Sequence, residues 1–275
     1  MSADQVQQTR PVAIVTGASG GIGEATARLL HAAGYRVFGT SRRPPAGRLP
    51  GIEYLACDVT SDESVSAVVG EVLRQTARID LLVNNAGVGL IAGAEESSLE
   101  QAKSLFDVNL FGVIRLTKAV LPTMRSQGSG RIVNISSVMG LIPAPFMALY
   151  AASKHALEGY SESLDHEVRS SGIRVVLVEP AYTRTSFEGN VYRADQQLGL
   201  YQSARAQAEG VMRDAMKAAD SPELVANAVV KAATAASPRR RYTAGRTARQ
   251  VSLLRRFVPE SAFDRSLRKQ MRLPA

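Results

Sequence analysis

With 275 residues, 45 % of them apolar, the chain can bury a sizeable core, and one or two domains fit within that length. Its single cysteine, Cys57, excludes an intrachain disulfide, and no CxxC or Cys/His cluster has metal-ligand spacing, so a reducing compartment and no metal centre are expected. The net charge of +8 is local: after position 238 there are 11 Lys and Arg against 2 Asp and Glu, which leaves 22 against 23 in a neutral body and argues against nucleic-acid binding.

The opening MSADQVQQTR has no apolar stretch, and no run of about 18 apolar residues follows that could span a bilayer, so a soluble cytoplasmic protein is expected. A β-branched run at 12–16 enters the glycine-rich segment TGASGGIG at 16–23, and a helical pattern covers 23–33. Further apolar runs at 36–40, 52–56, 81–84, 131–136 and 174–179 alternate with helical patterns at 62–76, 98–126 and 147–170. The runs show little polar alternation, as strands covered on both faces do. Turn-forming clusters at Arg43-Pro44-Pro45, Gly128-Ser129-Gly130 and Ser171-Gly172 fall between the elements. The order predicts an α/β fold with a doubly wound parallel sheet in a single domain. Residues 1–237 form its body, and 238–275 a basic amphipathic C-terminal helical extension.

A glycine-rich turn between a first buried strand and a helix lets the backbone approach a pyrophosphate, whose charge is met by free N–H groups at the helix start. Gly17, Gly21 and Gly23 suit this, with Ser19 and Ile22 beside them. An ordinary loop could hold as many glycines; the position after the first strand favours the nucleotide. At the end of the second strand, where a carboxylate would hydrogen-bond a ribose 2′-hydroxyl, the chain has Ser41-Arg42-Arg43. A guanidinium there attracts a 2′-phosphate, so NADP(H) is preferred over NAD(H), with Arg42 the better placed arginine. Asp58, followed by Val59, suits the adenine amino group, although an aspartate in this position also suits a helix cap.

Tyr150 and Lys154 lie four apart in a helical pattern, hence on one face. An ammonium near a phenol, joined by the positive charge of an oxidised nicotinamide, favours phenolate and a lowered tyrosine pKa. Spacing alone does not single them out, since Tyr201 with Arg205 and Tyr242 with Arg246 repeat it. The strand ending in Ser136-Ser137 does, because a serine there points into the crevice where doubly wound sheets bind ligands. No histidine has partners that would give it a catalytic role.

Taken in order, TGxxxGxG at 16–23, Asp58, NNAG at 84–87, Asn109, Ser137, Tyr150 with Lys154, and the segment after Pro180 resemble the short-chain dehydrogenase/reductase family over about residues 11–181. The resemblance implies a Rossmann fold and an NADP(H)-dependent oxidoreductase that interconverts a ketone or aldehyde and an alcohol. It implies Tyr150 as general acid/base, Ser137 as hydrogen-bond donor to the carbonyl oxygen, Lys154 as holder of the nicotinamide ribose, and Asn109 as support for a water in the proton path. It places Asn85, Ala86, Gly87, Pro180, Thr183 and Thr185 at the cofactor, the two threonines near the carboxamide. Asn85 reads equally well as a strand-joining residue, and Asn109 as a buried hydrogen bond to backbone. Ala181 departs from the family's glycine and tightens that approach by one methyl.

By the same resemblance, residues 186–220 form a helical cover over the substrate and the protein is a homodimer or homotetramer. Phe187, Tyr192, Leu198, Tyr201, Met139, Leu141, Phe146 and Met147 would give a largely apolar pocket for a small carbonyl or alcohol, in the style of hydroxysteroid and retinol dehydrogenases, with about half of them expected to be ordinary core. In the tail, Val251, Leu254 and Val258, then Phe263, Leu267 and Met271, recur at helical spacing among arginines. Packing on the body is favoured over contact with a membrane surface. A cofactor-binding sensor or scaffold with the same fold is the second reading, though a sensor would not require all four catalytic residues.

Overall fold

The structure is a computed structural model that describes residues 10–45, 47, 49–185 and 189–272. Nine strands and nine α-helices are seen among them: β1 (Val12–Thr16), α1 (Gly21–Ala32), β2 (Arg36–Ser41), β3 (Ile52–Ala56), α2 (Asp62–Thr76), β4 (Leu81–Asn84), β5 (Gly89–Ile91), α3 (Leu99–Phe106), α4 (Gly112–Gln127), β6 (Gly130–Ile135), α5 (Ala148–Val168), β7 (Ile173–Pro180), β8 (Val191–Arg193), α6 (Gln202–Lys217), α7 (Pro222–Thr234), β9 (Arg241–Ala244), α8 (Arg246–Phe257) and α9 (Glu260–Gln270).

Seven strands form one parallel sheet in the order β3-β2-β1-β4-β6-β7-β9, and the order reverses between β1 and β4. Two cores cover its faces. Val12 and Ile14 point to the side packed by Val65, Val69 and Val72 of α2, Leu116 and Val120 of α4 and Leu164 of α5. Ala13 and Val15, one residue out of phase, point to the side covered by Leu30 of α1 and Val225 and Val229 of α7. This two-sided burial explains why the strand sequences barely alternate. Ligands of such sheets sit beyond the strands' carboxyl ends at the reversal, here between the loops after β1 and β4.

Three features depart from the sequence reading. The helix expected over 98–126 is interrupted by a π-helical turn, Asp107–Phe111, which carries Asn109. Residues 241–244, within the expected helical extension, form the seventh strand, β9, beside β7. Two short strands, β5 and β8, pair in a separate sheet. In the tail, α8 buries Ala248 and the residue after α9, Met271, is buried too, while Leu253, Leu254 and Phe257 face outward.

Candidate active site

β1 ends at Thr16 and the chain turns through Gly17 (φ 64°) and Gly21 (φ 55°), the left-handed region that other residues enter at a cost. Space imposes glycine as well: a Cβ on Gly17 would stand 2.9 Å from Asn85 Nδ2, and one on Gly21 3.0 Å from the Thr185 side chain. Gly17, Ser19, Gly21 and Ile22 line a cavity of about 1150 Å³. Gly23 does not. It lies beneath the turn, where a Cβ would press into the Gly17 carbonyl oxygen, so its part is close packing of α1 on β1 rather than approach to a ligand. Gly23→Ala is expected to lower stability by about 1–3 kcal/mol through overpacking. It should also weaken nucleotide binding, because the turn above it must shift; thermal melts and fluorescence titration read the two effects.

Ser41, Arg42 and Arg43 at the end of β2, and Asp58 and Val59 after β3, line the same cavity. The Ser41 hydroxyl is buried with no hydrogen-bond partner, as a donor awaiting a ligand oxygen would be. Thr60 hydrogen bonds, with Arg42 and Arg115 adding positive charge, hold the Asp58 carboxyl below the usual range. Asp58 does not cap the following helix; Ser61 does, accepting from the Ser64 N–H. A cradle of glycine backbone, a helix start without a side-chain cap, an unpaired hydroxyl and arginines at the second strand together fit a phosphorylated dinucleotide.

Asn85 joins strands, as one of its two readings has it: Nδ2 donates to the Thr16 carbonyl at 2.8 Å and to that of Gly17 at 3.2 Å, while the Thr16 hydroxyl accepts from the N–H groups of Asn85 and Ala86. Asn85, Ala86 and Gly87 also line the cavity, as do Pro180, Ala181, Thr183 and Thr185. Ala181 has no positive φ, so its methyl is accommodated without backbone strain. Thr185 lies against Gly21, which sets it beside the glycine turn.

Ser137, Tyr150 and Lys154 meet in the wall of the same cavity. Burial pushes the Tyr150 phenol up to about 12, against the lowering effect of a hydrogen bond with Ser137. The sequence leads one to expect a lowered value. In the protein alone desolvation wins, because the Lys154 ammonium stands 5.8 Å from the ring centre and is itself pushed down to about 8 by burial, with Glu158 opposing. Lys154 Nζ donates to the Ile135 carbonyl at 2.9 Å. The backbone contact expected of Ser136 is made by Ser137, whose Oγ accepts from the Met139 N–H at 3.1 Å, while the buried Ser136 hydroxyl makes no hydrogen bond and lies near the Glu158 carboxylate.

Asn109 stands apart from the cavity wall. Its side chain clamps both backbone groups of Val88 at 2.9 Å, and Nδ2 donates to Ser153 Oγ at 3.2 Å. Ser153, which no sequence motif marks, donates onward to the Tyr150 carbonyl at 2.7 Å. Asn109 thus ties the loop after β4 to the helix turn that carries Tyr150. Tyr201 and Arg205 bind separate acids, Glu95 and Glu96, so their spacing marks no second site.

In the substrate half, Met139, Met147 and Tyr192 line the cavity, whereas Leu141, Phe146, Leu198 and Tyr201 do not; Phe187 lies outside the described residues. Phe146 packs edge-on against Tyr201 instead, with ring centres 6.0 Å apart. The wall also takes Leu90 and Ile91, together with Met212 and Met216 from α6, whose spacing of four could have flagged them. Among the described residues no group of three or more His, Cys, Asp or Glu could hold a metal, and no helix is long and apolar enough to cross a membrane.

A doubly wound sheet with a glycine turn at its reversal point and a Ser, Tyr and Lys set across the crevice defines a dinucleotide-using oxidoreductase. Residues 11–196 match the short chain dehydrogenase family, and the chain belongs to that short-chain dehydrogenase/reductase family. It is 41 % identical over 179 residues to a 3-ketodihydrosphingosine reductase of Bacteroides thetaiotaomicron, a match covering 65 % of this chain and 66 % of that one. A short-chain dehydrogenase structure from Streptomyces avermitilis superposes with a TM-score of 0.80 at 34 % identity, covering 96 % of this chain and 95 % of the other. A metagenomic short-chain oxidoreductase solved in complex with NADP gives a TM-score of 0.67 at 31 % identity, covering 85 % and 96 %.

Proposed function

We propose that the protein uses NADP(H) to interconvert a ketone and an alcohol on an apolar substrate. The observation that carries this reading is the convergence of Ser137, Tyr150 and Lys154 in one cavity with the glycine turn and Arg42. Bound NADPH supplies the hydride. The chain's own residues handle the proton: Ser137 donates a hydrogen bond to the carbonyl oxygen, and Tyr150, protonated at neutrality, gives its phenolic proton to that oxygen as negative charge develops. Lys154 stays beside the resulting phenolate as its counter-charge. The ketone-reducing relative and the Met- and Tyr-lined wall favour a long or bulky apolar ketone, in line with a hydroxysteroid- or retinol-dehydrogenase style of pocket.

The test is NADPH consumption across a panel of keto-lipids, steroids, retinoids, aromatic ketones and small polar ketoses. Preference for the ketoses would count against the apolar pocket; tight cofactor binding with no turnover anywhere would favour the sensor reading. Arg42→Ala is expected to weaken NADPH binding about tenfold and leave NADH nearly unaffected, since only the former carries the 2′-phosphate. Titration with each nucleotide checks it. We place the protein in the cytoplasm as a homodimer or homotetramer built on the helices flanking Asn109 and Tyr150; the half-exposed Phe111 is consistent with such an interface, and light scattering reads the mass.

A further inference from the structure

Behind Lys154 the fold buries more charge than the proton transfer uses. Glu158, one turn further along α5, is buried, and so is Glu179 on β7; Glu162 stands at the rim, half-buried. Arg241, the first residue of β9, reaches all three. Its guanidinium lies 2.9 Å from Glu158 Oε2, 3.0 Å from Glu162 Oε1 and 3.0 Å from Glu179 Oε1. The cluster also touches the turn that follows Ser137: a Cβ at Gly140 would stand 2.7 Å from Ser136 Oγ and 2.9 Å from Glu158 Cγ, so only glycine lets this turn close on it.

We propose that Arg241, acting through the Glu158 carboxylate, keeps the Lys154 ammonium charged and in place, and is therefore a positioning residue for the Tyr150 proton transfer. The functional consequence rests on the oxidoreductase reading above; the cluster itself does not. The balance of charge supports it. Two buried carboxylates, Glu158 and Glu179, face two cations, Lys154 and Arg241, with Glu162 half-exposed at the rim, and among the described residues every ion pair at the cluster is made by Arg241. A buried carboxylate is costly to keep ionised without a cation beside it. Burial first, and then the neighbouring Glu158 charge, push Glu179 up to about 7, and burial raises Glu158 as well, with Arg241 opposing in both. The Arg241 guanidinium, 2.9 Å away, is what favours an ionised Glu158 opposite Lys154. Without the guanidinium the buried Glu158 carboxylate would take a proton, Lys154 would lose its counter-charge, and the phenolate of Tyr150 would lose its cation.

The test is an absorbance titration of tyrosinate with NADP+ bound, read as the difference from Tyr150→Phe, which follows the Tyr150 phenol without any substrate. Arg241→Met and Glu158→Gln are each expected to move that ionisation up by about one pH unit, equivalent to a tenfold change in the phenolate fraction. The double variant should move it no further, and Arg241→Lys should restore most of it. In alcohol oxidation kcat near neutrality should fall about tenfold while KM for NADP+ stays within about twofold. An unshifted phenol in variants that circular dichroism shows to be folded would overturn the proposal, as would additive shifts in the double variant. If no alcohol is oxidised by the unaltered protein, the oxidoreductase reading fails, while the titration still decides the role of Arg241.

Discussion

Tyr150→Phe is expected to cost about 10³-fold in kcat for carbonyl reduction while NADPH binding changes little. The phenylalanine keeps the ring's volume and its packing, so what is lost is the phenolic proton beside Ser137. Because burial holds the phenol at about 12 in the free protein, the proton-donating form is present throughout the neutral range. Reduction by the unaltered protein should therefore be nearly flat in pH around neutrality and decline only as the phenol ionises. Oxidation needs the phenolate and should rise with pH, earlier than the free-protein value implies, because the positive nicotinamide of the oxidised cofactor adds a cation beside the ring. Steady-state rates in both directions across pH, with Tyr150→Phe as baseline, check this. Comparable loss of NADPH affinity and of rate in the variant would mean that the hydroxyl serves binding instead.

The strands at 12–16 and 81–84 are legible to the residue because both faces of the sheet are covered there, and the edge strand at 52–56 because a short run of this length bounded by turn residues fits a strand better than a helix. β9 is hidden by its own chemistry. Arg241-Tyr242-Thr243-Ala244 follows two arginines and buries fully only its last residue, so nothing in the pattern asks for a strand; its place is set by pairing with β7. β5 and β8 are three residues each, too short to carry a period. The break in the helix at Asp107–Phe111 is equally silent, since Asn109 is tolerated in a helix and the π turn follows from its bonds to Val88, 21 residues away.

At the site, residues at strand ends can be read from sequence because the sheet dictates where they point. Residues that act from behind cannot. Lys154, Glu158, Ser161 and Asp165 recur at spacings of three and four and look like the solvated face of an amphipathic helix, yet all four are buried. The signal lies in the partners: a polar stripe facing a sheet needs polar groups on the strands, and Glu179, Asn134 and Arg174 supply them. Gly23 shows the converse. The motif assigns this glycine to the ligand, whereas it serves packing one layer below, a distinction that only the position of the Gly17 carbonyl makes.

Asp165 is where this stripe matters most for stability. Its carboxylate is fully buried, accepts from Arg174 Nε at 2.8 Å and from the Val175 N–H at 3.0 Å, and pairs with Arg169 as well. It fastens the end of α5 to the start of β7, the strand that ends at Pro180 in the cavity wall. Asp165→Asn preserves the shape and the bond to Val175 but leaves Arg174 without its anion, and is expected to cost about 3 kcal/mol. For a chain of this size that lowers Tm by about 5–10 °C. Although burial opposes ionisation, Arg174, the Val175 N–H and Arg169 together hold the carboxyl down at about 2. A value depressed on folding means that the stabilisation is present above the unfolded value of about 3.9 and is lost as pH falls through the folded one. The gap between the two proteins in denaturant melts should thus be full at neutral pH and close between about pH 4 and pH 2. A gap that persisted unchanged below that window would assign the loss to altered packing and not to the missing charge.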